Sequence, residues 1–134
     1  MKTWLVIFFV MRWVLLASDA VPVSQRELVA RYVEYSGKHV IVSGEVVSDS
    51  EMTLMYLSSA TGSPEAREGM LVVLSEETTK KPDALAKRFT KDLKKSGRVT
   101  AELEGRFEGA ADRRWGHQAC CRFRFQVERV LSLK

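Results

Sequence analysis

The chain has 134 residues, of which 46% are hydrophobic and 28% charged, and its net charge is +4. That composition argues against disorder and leaves room for one domain and no more. The charge permits an anionic partner, but it is sparse for a dedicated nucleic-acid protein.

Residues 1–20 read as an export signal. Lys2 gives a positive start, Trp4 to Met11 and Trp13 to Ala17 are apolar, and Ser18-Asp19-Ala20 suits a cut after Ala20. Arg12 interrupts the run, which is also shorter than the roughly 20 residues of a bilayer span. An uncleaved membrane anchor is the alternative reading of this segment. Residues 21–134 then form the domain.

In that domain Ser24-Gln25-Arg26-Glu27 is a capping box, followed by Leu28, Val29, Tyr32 and Val33 at helical spacing and Gly37 as a stop. This short helix is expected to pack on the side of the domain or to plug one end. Lys38 to Ser48 is a β-rich run with Gly44 at a bend, and Ser48-Asp49-Ser50 is a turn. Met52 to Ser58 is a second strand, Thr61 to Glu68 a loop, and Met70 to Leu74 a third strand.

Pro82 to Ser96 reads as a helix ended by Gly97. Leu85, Phe89 and Leu93 make its apolar stripe, while Lys87, Lys91, Lys94 and Lys95 form a solvated face that complements the helix dipole. Arg98 to Glu108 is a strand with Val99, Ala101 and Leu103 inward and Gly105 at a bend. Arg122 to Glu128 alternates most cleanly, with Phe123, Phe125 and Val127 inward and Arg122, Arg124, Gln126 and Glu128 outward. Extending that period puts Cys121 inside and Cys120 outside. Adjacent cysteines can bridge each other only in a strained turn, and in a strand they point to opposite faces, so no disulfide framework is expected.

Strand, strand, strand, helix, strand, strand is a mainly β order. It specifies a five-stranded OB-fold-like barrel with a helix between strands 3 and 4, preceded by a short N-terminal helix.

Such barrels bind through the face of strands two and three and the loops beside it. The loop from Gly109 to Ala119 holds Arg113, Arg114, Trp115 and His117 within five residues, and Arg122 and Arg124 continue the basic surface. Arginines pair with phosphate or carboxylate, and an indole stacks on a base or a sugar. The plainer reading has Trp115 covering the barrel mouth with its arginines solvated. Tyr56 is either a stacking platform or, on the plainer reading, a core ring with its hydroxyl at the rim. His39 reads as solvated or hydrogen-bonded.

No catalytic residue is expected. His117 lacks a local nucleophile and orienting acid, and Glu102, Glu104 and Glu108 read as a wet surface rather than a tuned pair. With only His39 and His117 beside the two cysteines, no metal or cofactor is expected. The expected function is noncatalytic binding of a protein, a glycan or a small anionic ligand. Single-stranded nucleic acid is the second reading, and a membrane is met only through residues 1–20 if they stay attached.

From Ser24 onward the chain resembles a family of small exported bacterial OB-fold proteins. The matching segments are the N-terminal helix, the run from Gly37 to Gly44, Leu54-Met55-Tyr56-Leu57, the strand from Val99 to Phe107, and Gly116-His117. Ala119-Cys120-Cys121 departs from the glycine and aromatic character expected there. The resemblance implies this fold and export to the periplasm or cell envelope, and it implies no reaction.

Overall fold

A computed structural model of the protein describes residues 19–48, 52–58, 68–110, 112–116 and 120–134. Residues 1–18 of the export segment read at 1–20, Asp49 and Ser50 of the turn, most of the loop ending at Glu68, and His117 lie outside the described residues. No described helix is long and apolar enough to cross a membrane.

The first described element is β1 (Val21–Pro22), which pairs in parallel with Val40 and Ile41. Helix α1 (Gln25–Ala30) begins as its capping signal requires, with Ser24 Oγ accepting from the Glu27 amide at 3.2 Å. Only half of the box forms, because the Glu27 carboxylate pairs with Arg31 at 3.4 Å. The helix breaks at Arg31 and resumes as α2 (Tyr32–Tyr35), before Gly37 at φ 84°. Leu28 is fully buried, and the Gln25 amide spans Ser43 O at 2.7 Å and Ser58 N at 2.9 Å. These contacts fix α1 to the side of the sheet.

Five strands close into a barrel: β2 (His39–Ser48), β3 (Thr53–Leu57), β4 (Glu68–Leu74), β5 (Arg98–Gly109) and β6 (Phe123–Leu133). Around the ring the order is β2-β3-β4-β6-β5, and β5 returns to β2. Only β4 and β6 among these run parallel. The length of β2 is what closes the ring, since it pairs with β5 from His39 to Val47 and with β3 from Val46 to Ser48.

Between β4 and β5 lie two helices, where one was expected. Helix α3 (Glu76–Lys80) is capped by Ser75, whose hydroxyl oxygen accepts from Thr78 N at 3.1 Å. Helix α4 (Ala84–Ser96) is capped by Asp83 and ends at Gly97, whose φ is 79°. Its buried face is Ala86, Phe89 and Leu93, and Leu85 is only half-buried.

One continuous core holds Val99, Leu103, Phe123, Phe125 and Val127 together with Phe89 of α4. Phe107, Phe123 and Phe125 are its largest fully buried side chains, each contributing about 1.5–3 kcal/mol of burial. Strand β6 runs five residues beyond Glu128, where the alternation breaks. Its register to β5 skips Glu128 and Leu131, so both are bulged out of the ladder. Gly105 sits at the first of these irregularities. A side chain there would run into the backbone carbonyl of Gln126, which cannot move aside.

Candidate binding face

Strand β3 shows how the site is built. Met55 and Leu57 point into the core, so Leu54 and Tyr56 face outward. On β4 the outward residues opposite them are Leu71 and Gly69. Leu54 is nevertheless 7% exposed, although it lies outside the core cluster, whereas Tyr56 is 46% exposed.

The β5–β6 connection explains the contrast. Trp115 N donates to Cys121 O at 2.8 Å and Cys121 N donates to Trp115 O at 3.1 Å, which turns the loop back toward β4. Gly116 then lies against the outer face, with the position of a Cβ 3.8 Å from Leu71 and 3.1 Å from Met52. Its φ is 86°, and a Cβ would stand 2.9 Å from Cys120 Sγ. Both facts require glycine. Gly116 thus lies over Leu71, the pairing partner of Leu54, while Tyr56 stays open.

Tyr56 therefore corrects the expectation of a core ring: strand pleating turns it to solvent. Its ring edge and Cys121 Sγ both approach Gly69, at 3.9 and 3.6 Å from the site of a Cβ. With no side chain on Gly69, the tyrosine stands beside the cysteine pair.

The cysteines lie in a turn, the setting in which neighbours can bridge. Cys120 and Cys121 are joined to each other, with sulfurs 2.14 Å apart. Strand alternation does not govern them because both precede β6, in the turn that brackets Trp115. Cys121 is buried and Cys120 exposed, as the sequence period indicates. The bridge joins neighbours and ties no distant segments.

Trp115 is half-buried and flanked by two guanidinium groups. Arg113 Cζ lies 5.2 Å and Arg124 Cζ 5.5 Å from its ring centroid. Its indole N–H and Arg124 Nε are both buried and have no acceptor among the described residues. Such donors cost about 1–3 kcal/mol each when left without an acceptor.

The basic surface is less positive than its arginines imply. Arg124 pairs with Glu108 at 2.8 Å across the β5–β6 ladder. Arg122 pairs with Glu68 at 2.7 Å, and its guanidinium lies over Tyr32 and Phe123. Arg113 and Arg114 are exposed and have no carboxylate partner among the described residues. Arg113 and Arg124 are thus brought together on Trp115, whereas among the described residues no ion pair or ring contact joins Arg114, Arg122 or Tyr56 to them. Sequence reasoning missed Glu68, Glu108 and the role of Gly116. The alternating pattern of β5 marks Glu108 as outward, but only the register sets it opposite Arg124.

Elsewhere the polar residues are engaged locally. His39 Nε2 lies 2.8 Å from Glu128 Oε1, and Glu104 pairs with Arg129 at 3.8 Å. Among the described residues no three histidine, cysteine or acidic side chains converge as metal ligands.

No family model and no curated protein matches the chain. Among solved structures, an OBody bound to hen egg-white lysozyme is similar over 84% of this chain and 94% of its own, with 19% identity and a TM-score of 0.45.

Proposed function

We propose that the chain is a noncatalytic binding module of OB type, exported to the cell envelope, that takes a protein or glycan partner on the outer β3–β4 face and the Trp115 loop. The closed ring β2-β3-β4-β6-β5 with helices between β4 and β5 supports the OB assignment. Export rests on the pattern of residues 1–20 and on the family resemblance.

The single observation that carries the binding reading is Trp115. Its indole lies between two arginines, and its buried N–H has no acceptor among the described residues. A partner that brings hydroxyl or carbonyl oxygens meets the exposed guanidinium groups of Arg113 and Arg114 beside the half-buried indole. Tyr56 adds an open aromatic surface beside them. Glu68 and Glu108 neutralise two of the four arginines, which favours such a partner over a polyanion. Single-stranded nucleic acid is the second reading, carried by the unpaired Arg113 and Arg114.

The test is to screen the full chain on immobilised envelope glycans, envelope proteins and single-stranded DNA across a salt series. Retention at moderate salt that is lost in Trp115→Ala and Tyr56→Ala supports the proposal. DNA capture that falls steeply with salt supports the second reading. Identical capture by the wild type and both variants sinks both. N-terminal sequencing of the protein recovered from a membrane-depleted envelope fraction tests the cut after Ala20.

A further inference from the structure

We propose that the groove along α4 binds a single-chain anionic amphiphile, with its tail on Leu74, Phe89 and Leu93 and its head on Lys87, Lys91 and Lys94. This site lies away from the Trp115 face, so its outcome is independent of the reading above.

Two cavities meet there. One, of about 460 Å³, lies between the end of β4 and α4 and is lined by Leu74, Pro82, Thr90 and the three lysines. The other, of about 220 Å³, is lined by Val72, Phe89 and Leu93. They share Leu74, Thr90 and Lys94, so together they form one groove running along the helix. From Lys87 to Lys94 that groove is about 10 Å long at the rise of an α-helix.

Its chemistry is divided. Three of the four threonines on its wall have satisfied hydroxyls: Thr78 donates to Glu128 O at 2.9 Å, Thr79 to Ser75 O at 2.9 Å, and Thr90 to Ala86 O at 3.1 Å. None of these three requires a hydrogen bond from an occupant, and the floor is otherwise Val72, Leu74, Pro82, Phe89 and Leu93, with the polar Ser48 and Thr53 in the smaller cavity. The lysines stand at i, i+4 and i+7, on one side of the helix. All three are exposed, none has an ion-pair partner among the described residues, and no carboxylate lines either cavity. Arg88, off this row, is by contrast paired with Asp92 at 3.7 Å.

An apolar floor under an unneutralised row of cations is complementary to a tail with an anionic head. The groove is open to solvent, and its volume falls within the range of small-molecule sites, about 300–1,000 Å³. A groove this short offers far less than the roughly 800 Å² per partner of a stable protein interface. Lysine meets carboxylate and phosphate alike as a point charge, so the head is defined by its charge.

The experiment titrates the ¹⁵N-labelled full chain with dodecyl phosphate and with dodecanoate, each below its micellar concentration. Dodecyl maltoside supplies the same tail with a neutral head, and butyl phosphate supplies a head with almost no tail. Saturable amide shifts are expected at Leu74, Thr90 and Lys91 with one or both anionic amphiphiles, and the preferred one identifies the head. The combined Lys87→Gln, Lys91→Gln, Lys94→Gln chain should bind about tenfold more weakly or worse, since each lost charge-assisted contact is worth more than a neutral one. Thr90→Glu, which sets a carboxylate in the groove, should abolish binding, with the fold of each variant checked by circular dichroism. Equal affinity for dodecyl maltoside, an unchanged lysine variant, or shifts confined to the Trp115 loop each overturn the proposal. So does a response to a glutamate-rich peptide without one to the amphiphiles, which reassigns the groove to a protein partner. Concentration-dependent dimerisation that buries Thr90 and Lys91 reassigns it to a second copy.

Discussion

The ribbon formed by β3 and β4 is covered throughout on its inner side and, on its outer side, near Leu71 but not at Tyr56, and the two covers are made differently. Inside, Met55, Leu57, Met70 and Val72 join a continuous apolar core. Outside, Leu71 lies against Gly116, in a turn held by two backbone hydrogen bonds, a glycine at positive φ and arginine–indole contacts. Volume holds the first side together, while backbone geometry and paired charge hold the second. A surface built in the second way can be altered for a partner without touching the fold.

That contrast can be broken from either side. Phe123→Ala removes a fully buried ring shared by β6 and the core and should cost about 3–5 kcal/mol in urea unfolding. Gly105→Ala follows at about 1–3 kcal/mol, because its methyl meets the fixed carbonyl of Gln126. Gly116→Ala should cost about 1–2 kcal/mol through its left-handed backbone. It should also raise hydrogen exchange at the Trp115 and Cys121 amides while leaving the Leu103 amide protected, and uniform deprotection would show that the loop and core are not separable.

Charge changes complete the series. Glu108→Gln releases Arg124 at a cost of about 1 kcal/mol or less, in keeping with a pair whose members are about a quarter exposed. It should make single-stranded DNA binding detectable at low salt if pairing is what suppresses the surface charge. Exposed lysine changes on α4 should shift unfolding by no more than about 0.5 kcal/mol, as expected for residues outside both covers.

The inner cover was the more legible in sequence. Phe123, Phe125 and Val127 alternate, as do Val99, Ala101 and Leu103, and period two needs no knowledge of what lies across the ladder. The reading of β6 stopped at Glu128 because a bulge interrupts that period, and the rest of the strand lies beyond the interruption. Helix α3 left a signal that was passed over: Ser75 before two glutamates, with Lys80 at the end. At the site, the sequence pointed to Arg113, Arg114, Trp115, Arg122, Arg124 and Tyr56. It did not show that Glu68 and Glu108 lie opposite Arg122 and Arg124, since those pairs are 54 and 16 residues apart. Pairing at such separations is decided by strand register, which no local pattern encodes.

The two-residue strand β1 has a consequence for solubility. On β2 the edge opposite β5 is covered by β3 only from Val46 to Ser48, and β1 occupies it at Val40 and Ile41. Val23 N continues that contact to Ile41 O at 2.9 Å. Trimming by an aminopeptidase past Val23 would strip this guard and bare a short, β-branched seam, an invitation to strand exchange between neighbouring molecules. The stretch Val21–Val23 thus acts as a cover whose loss should first be seen as a rise in particle size rather than as unfolding.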